Sequence, residues 1–256
     1  MEQKYKNILI TGGPTNEYID EVMKITNMST GSLSLKLAEH FLKTGYRVSL
    51  ILTNSINVAQ LENIDASAKM LKIIPIETTE EMLEAIETES RSAHFDALIH
   101  ASAVADYKAA FSFLLEDLAE ELFDHLSEFK SSQNILKLLE NPSCKLDDSS
   151  KISSYQKNLT VKLGLTPKVI ANLRDWFPDT LLVGCKLLEN VSKQELYETA
   201  AKLCVKNNMD YILANDLADL RAGNQARYLV SKDGFTGEIL GNSENIFEFI
   251  NDKLED

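Results

Sequence analysis

The chain has 256 residues, 44% of them hydrophobic and 25% charged, with a formal net charge of −13. That is enough apolar chain to pack a core without staples. The acidic balance argues against general nucleic-acid binding, yet it leaves room for an anionic small molecule held by helix N-termini, a few lysines or a metal ion.

Cys144, Cys185 and Cys204 have neither metal-ligand nor Cys-x-x-Cys spacing, which predicts a reduced, cytoplasmic protein. The first strand follows closely on Met1, so no signal peptide is expected, and no apolar run reaches membrane-spanning length.

The first predicted element is a buried strand over NILIT (7–11), running directly into Gly12-Gly13. Leu33, Leu37 and Phe41 then recur at helical spacing, with Ser29 or Thr30 placed to cap that helix and Gly45 to end it. Apolar runs at 48–53 and 71–76 read as strands. Thr78 and Glu81 form a capping-box pattern before a helix through Met82, Leu83 and Ile86, and 95–100 is a further buried strand. Leu115, Leu118, Leu122, Leu126 and Phe129 make an apolar stripe on an acidic helix over 113–129. A second helical piece covers 134–140, the stretch 144–158 is polar and loop-like, and 159–165 alternates as a strand does. Thr166-Pro167 opens a helix over Val169, Ile170, Leu173 and Trp176, with proline at its first position. A strand at 180–188 follows, then Ser192 and Glu195 repeat the capping-box spacing before a helix ending near Asn207. The chain closes with a strand at 209–216, a hairpin at 226–240 and a helix at 243–254. Wholly apolar strands alternating with helices predict an α/β fold in one domain over 1–256. The expected architecture is a doubly wound, mainly parallel, Rossmann-like sheet with a helical insertion near 108–145 and a small β-hairpin extension.

In such sheets the ligand lies outside the carboxyl ends of the strands. After the first strand the sequence places Gly12, Gly13, Thr15, Asn16, Glu17, Asp20 and the run from Asn27 to Gly31. Ser102, Ala103, Val104, Ala105 and Asp106 follow 95–100; Cys185 and Lys186 follow 180–184; Asn215 and Asp216 follow 209–214. Each has a plain alternative: a tight turn for the glycine pair, a helix cap for NMSTG, caps or solvated ends for the two aspartates, and a small apolar strand residue for Cys185. Together, four polar strand ends predict a cleft, and Ser, Thr and Gly at a helix start leave backbone N–H groups suited to an anion. The spacing is not GxGxxG, and Tyr107-Lys108 is not a Tyr-x-x-x-Lys pair; both argue against a nicotinamide-dependent oxidoreductase. His100 is a candidate at a strand end, with no serine or cysteine partner that the sequence can place.

Five segments stand in order: "ILITGGPTNEYID…ITNMSTG", "ASAVADY", "KISSYQKNLTVKL…TPKVI", "LLVGCKLL" and "DYILAND". Together they resemble the phosphopantothenoylcysteine synthetase family, the phosphopantothenate–cysteine ligases of coenzyme A biosynthesis, over about residues 7 to 250. The resemblance is to the short, free-standing bacterial form without a fused flavin decarboxylase. It implies a homodimer that uses Mg2+ and a nucleoside triphosphate, usually CTP in bacteria. The nucleotidyl group passes to the carboxylate of 4′-phosphopantothenate, pyrophosphate leaves, and the amine of cysteine attacks the acyl nucleotide to give the amide and CMP. Carried over by position, the resemblance implies that Gly12, Gly13, Ser29, Thr30 and Gly31 present backbone N–H groups to phosphates. Asn27 would donate its amide to the activated acyl group, and Lys151, first of a Lys-x-Lys-Lys motif, would neutralise phosphate charge in the transition state. Ala103, Val104 and Ala105 would read the base and Asp106 the ribose or base end; Cys185 would lie at the base pocket with Lys186 beside it, and Asn215 and Asp216 near the nucleotide. The resemblance identifies no metal ligands.

The sequence departs from the family pattern. Met23 stands where arginine is common, Ser32, Ser153 and Ser154 where lysines are, Cys185 where phenylalanine is, and Pro14 in a stretch usually Gly-Gly-Thr. A charge-assisted contact is worth about 1.5–3 kcal/mol, so several lost cations weaken phosphate binding. Lys24 and Lys186 are candidate substitutes at the Met23 site. The alternative reading is a non-catalytic relative that binds a nucleotide or pantothenate derivative without turnover.

Overall fold

The computed structural model describes residues 5–62, 64, 70–148 and 150–255. In chain order the elements are β1 (Asn7–Gly12), β2 (Asn16–Tyr18), β3 (Lys24–Thr26), α1 (Ser32–Lys43), β4 (Arg47–Thr53), α2 (Ala59–Glu62), β5 (Leu71–Ile76), α3 (Thr79–Ser92), β6 (Ala97–His100) and β7 (Tyr107–Leu114). There follow α4 (Leu115–Asp124), α5 (Ser132–Glu140), β8 (Leu159–Leu165), α6 (Leu173–Trp176), β9 (Leu181–Leu188), α7 (Lys193–Lys206), β10 (Tyr211–Asp216), α8 (Leu217–Arg221), β11 (Arg227–Ser231), β12 (Gly234–Leu240) and α9 (Ser243–Glu255). The chain divides into two compact units, one of Met1–Thr15, Asn27–Val104 and Pro167–Asp256, the other of Asn16–Thr26 and Ala105–Thr166. Among the described residues no helix is long and apolar enough to cross a membrane.

The first unit holds an eight-stranded sheet in the order β12-β11-β10-β9-β6-β1-β4-β5. From β5 to β10 every pairing is parallel, and β11 and β12 add antiparallel at one edge. This is the doubly wound, Rossmann-like order, with the chain running outward from β1 in one direction and from β6 in the other. Central strands must be apolar on both faces because helices cover both. Ile8 and Ile10 of β1 pack with Leu37 and Phe41 of α1 and Ile246 and Ile250 of α9. Leu9 faces the opposite layer, with Met82 and Ile86 of α3, Leu173 of α6 and Leu196 and Ala200 of α7.

Local signals set the helix ends. Thr78 and Glu81 complete the capping box of α3. At the end of α1, Gly45 takes φ +90°, and Tyr46 N–H and Gly45 N–H donate to the carbonyls of Phe41 and Leu42 at 3.0 Å each, a Schellman closure. The start of α1 differs from expectation: its N-cap is Gly31 at φ +67°, with no side-chain cap, because the chain enters the helix through a left-handed turn one residue past Thr30. The helix expected after Thr166-Pro167 is a 3₁₀ turn (Val169–Asn172) followed by the single turn of α6. The hairpin expected at 226–240 is present as β11–β12 and extends the main sheet at its β10 edge.

The helical insertion expected near 108–145 carries a strand as well as its helices. It opens with β7, which pairs antiparallel with β8, and only then turns helical. Phe111 and Phe113 of β7 pack on Leu118 of α4, with Leu122, Leu138 and Cys144 around them. Because β7 runs through Leu114, Leu115 becomes the first helical residue and is 52% exposed; Leu126, beyond the end of α4, is 62% exposed, so the expected apolar stripe is broken at both ends. A short ribbon of β2 and β3 belongs to the same unit.

Candidate active site

β1 and β6 are the parallel neighbours from which the chain departs in opposite directions, and their carboxyl ends bound the crevice where doubly wound sheets bind ligands. Pairing continues past the strands: Ala101 N–H donates to Thr11 O at 3.2 Å, Ala103 N–H to Gly13 O at 2.9 Å and Thr15 N–H to Ala103 O at 3.4 Å. The segments Gly12–Thr15 and Ala101–Val104 therefore run side by side beyond the sheet.

The glycine pair is dictated by close approach. A β-carbon on Gly12 would stand 1.8 Å from Ser34 Oγ, so α1 rests directly on the backbone of β1. Gly13 has φ +80°, and a β-carbon there would meet Ile56 Cδ1 at 2.5 Å and Thr53 Oγ1 at 2.6 Å. Thr53 donates its hydroxyl to Pro14 O, which fixes the turn to β4. Gly31 lies against the same turn, its missing β-carbon 3.4 Å from Gly13 N. Thr15 Oγ1 and Thr79 Oγ1 meet at 2.9 Å, tying the turn to the start of α3. The Ser29 and Thr30 hydroxyls reach the N–H groups of Gly31 and Ser32 at 3.4 Å each, and Met28 beside them is 92% exposed.

Asn27 joins the two loops. Its Nδ2 donates to Val104 O at 2.9 Å and to Ala103 O at 3.3 Å. Gly12, Gly13, Asn27, Ser29, Thr30, Gly31, Ala103 and Val104 are thus gathered at the β1/β6 crevice. Ser102 Oγ, in the same loop, is buried and meets no hydrogen-bond partner among the described residues.

The other expected residues of this unit sit differently. Cys185 and Lys186 lie inside β9, which stays paired with β10 through Leu188. They nevertheless pass the end of β6, whose pairing with β9 stops at His100–Gly184. Cys185 is half-buried, and burial of its thiol pushes the pKa up to about 11, which keeps it neutral at ordinary pH. Asn215 is buried on β10, opposite Leu187 of β9. Asp216 is committed to structure: its carboxylate accepts from Ala218 N–H at 2.7 Å, capping α8, and from Val191 and Asn190 N–H at 3.0 and 3.2 Å. Those donors, Val191 first, hold its pKa below the usual carboxylate value.

Sequence reasoning missed Thr11. Its Oγ1 lies 2.8 Å from His100 Nδ1 in the buried floor of the crevice, and burial takes the imidazole down to about 4, so it is neutral. A threonine ending an apolar strand was the available signal.

Ala105, Asp106 and Lys151 belong to the second unit. Ala105 O accepts from Thr166 Oγ1 at 2.5 Å, and Asp106 O from Thr166 N–H at 3.2 Å. Lys151 is exposed on the segment between α5 and β8. Lys24 lies over the Tyr18 ring, 5.9 Å from its centroid, in the β2–β3 ribbon that also carries Met23. Among the described residues no three His, Cys, Asp or Glu side chains are grouped to hold a metal ion.

A family model described as the DNA/pantothenate metabolism flavoprotein C-terminal domain matches residues 3–139. The coenzyme A biosynthesis bifunctional protein CoaBC of Thermococcus kodakarensis is 30% identical over 228 residues, 89% of this chain and 45% of that protein. The chain spans about half the length of the curated relatives it matches. The crystal structure of the DNA/pantothenate metabolism flavoprotein from Streptococcus pneumoniae superposes with a TM-score of 0.77 at 29% identity, covering 98% of each chain. A Cab2 mutant in complex with phosphopantothenate-cysteine shares the fold, with a TM-score of 0.69 at 17% identity over 98% of this chain and 86% of that one. On this match, which takes in β1, the glycine turn, Asn27 and the Ala101–Val104 loop, the chain belongs to the DNA/pantothenate metabolism flavoprotein C-terminal domain family.

Proposed function

We propose that this chain is a phosphopantothenate–cysteine ligase of coenzyme A biosynthesis, acting in the cytoplasm as a homodimer. In this reading CTP activates the carboxylate of 4′-phosphopantothenate as an acyl nucleotide with loss of pyrophosphate, and cysteine displaces CMP. The observation that carries it is Asn27 Nδ2 donating to the carbonyls of Ala103 and Val104. That bond draws the two motif segments to one crevice, where an amide can be aimed at an oxygen that gains charge. The turn of Gly12 and Gly13 and the uncapped start of α1 at Gly31 offer main-chain N–H groups to phosphates.

Lys151 is assigned the neutralisation of charge on the departing phosphates, through its match to the family's lysine motif. Magnesium enters as the companion of the triphosphate. The half-buried Cys185, its thiol pKa raised, fits a reaction that needs no covalent enzyme intermediate. Support for the reading comes from family membership, from relatives named for coenzyme A biosynthesis, and from a fold relative held with phosphopantothenate-cysteine.

The test is pyrophosphate release from CTP, 4′-phosphopantothenate and cysteine with Mg2+, and the same mixture with ATP. Turnover is expected with CTP, and near-complete loss in Lys151→Ala and Asn27→Ala. Nucleotide binding by calorimetry without turnover from folded protein would select the non-catalytic reading.

A further inference from the structure

We propose that Asp20 is the positioning residue of Lys151, its carboxylate tying the peptide on the carboxyl side of Lys151 to the turn between β2 and β3. Both ends of this tether lie in the second unit. One carboxylate oxygen, Oδ1, accepts from Val22 N–H at 2.7 Å and Met23 N–H at 2.6 Å, closing the turn; Ile19 N–H also donates to Met23 O at 2.8 Å. The other, Oδ2, accepts from Ile152 N–H at 2.9 Å, 132 residues away in sequence. Ile152 is buried and Lys151 exposed. Among the described residues from 144 to 158 there is no helix or strand, so the direction in which Lys151 projects depends on such fixings.

The chemistry suits a clamp. A carboxylate has two oxygens that accept independently and no donor to conflict with the three N–H groups. Charge-assisted bonds to backbone N–H are stronger than neutral ones. The donors from Met23 and then Ile152 hold the carboxylate below its ordinary pKa, with a smaller contribution from the Lys151 ammonium, so it is charged at neutral pH. The role inferred for Asp20 rests on the ligase reading for what Lys151 does, but the tether can be read without any turnover.

Asp20→Asn separates the two ends. Its single oxygen can keep the turn, which places the NH2 group against Ile152 N–H. The readout is cleavage by a lysine-specific endoprotease at the Lys151–Ile152 bond, whose N–H is the one Asp20 holds. In the variant this cleavage accelerates about tenfold, because cutting follows local opening. Cleavage after Lys232, exposed in the β11–β12 turn of the other unit, stays unchanged and serves as the internal control. In the ligation assay kcat falls while KM for CTP holds. Equal cleavage rates at Lys151 overturn the tether, and faster cleavage with wild-type kcat overturns the positioning role. In wild-type protein, amide exchange at Ile152 is slower than at Ser154; equal exchange overturns the tether without any variant. A wild-type protein with no ligation counts against the ligase reading, and cleavage and exchange still decide on Asp20.

Discussion

The hydroxyl of Thr11 and the ring of His100 meet at 2.8 Å across two neighbouring parallel strands, with both side chains buried. Burial depresses the imidazole pKa from its ordinary 6.5 to about 4. In the unfolded chain the ring takes up a proton as pH falls below 6.5, while in the folded chain it stays neutral until about 4. The stability it protects is therefore present above 6.5 and lost as pH falls toward 4. The loss is on the order of 3 kcal/mol. Urea midpoints at pH 7 and pH 4.5 should fall more steeply for wild type than for His100→Gln, since the carboxylates that titrate there are common to both. Parallel pH dependence in the two proteins rules out a buried neutral ring.

Gly12→Ala should loosen the seat of α1. The new methyl would sit 1.8 Å from Ser34 Oγ, 2.5 Å from Ser34 Cβ and 2.9 Å from Leu52 Cδ1. No rotation of Ser34 clears its own β-carbon, so the helix start must move. Overpacking of this kind costs about 1–3 kcal/mol, a drop in Tm of roughly 2–4 °C per kcal/mol for a chain of this size. Ser34→Ala in the same background should not restore it. Full rescue would show that the hydroxyl alone, and not the backbone approach, demands glycine at position 12.

The parallel sheet was legible because its strands are apolar throughout and its helices carry their own start and stop signals, as at Thr78 with Glu81 and at Gly45. The crevice was legible because β1 and β6 both run into small or polar residues. What escaped was set by pairing at a distance. Nothing local distinguishes Phe111 and Phe113 as strand residues until Val161 and Thr160 of β8 lie opposite Ser112 and Phe113. Cys185 and Lys186 lie within the strand expected at 180–188, and they reach past the end of β6 only because β6 stops at His100 while β10 carries β9 on to Leu188. Asp216 read as a polar strand end, and its use as a cap depends on where the Asn190–Val191 turn returns.

Arg174→Lys should be costly although it keeps the charge. The guanidinium donates to the carbonyls of Asn208, Pro178, Thr180 and Phe177 at 2.9, 3.0, 3.1 and 3.3 Å, and pairs with Asp210 at 2.7 Å. Asp210 in turn accepts from Leu182 N–H at 2.7 Å, so the fork organises the entry to β9. An ammonium has three donors on one atom and cannot span these acceptors. The expected loss is about 1.5–3 kcal/mol, the range for hydrogen bonds to a charged group. Urea unfolding at neutral pH measures it, and an unchanged midpoint would show the fork to be dispensable.

Asn27→Ala separates structure from chemistry at the crevice. The side chain is exposed, and its two bonds to Val104 O and Ala103 O are neutral ones. Losing them should cost about 1 kcal/mol and lower Tm by only roughly 2–4 °C. If the same amide also faces an oxygen that gains charge during acyl transfer, ligation should fall about 10²–10³-fold, the cost of deleting one preorganised donor. Asn27→Asp should be at least as damaging to turnover, because at neutral pH a carboxylate replaces the donor and faces the two carbonyl oxygens. Both variants remain folded at assay temperature, so the rates can be compared directly with the Tm shift. A turnover loss of only a few-fold in both would place the reacting carbonyl elsewhere and leave Asn27 as a strut between the two loops.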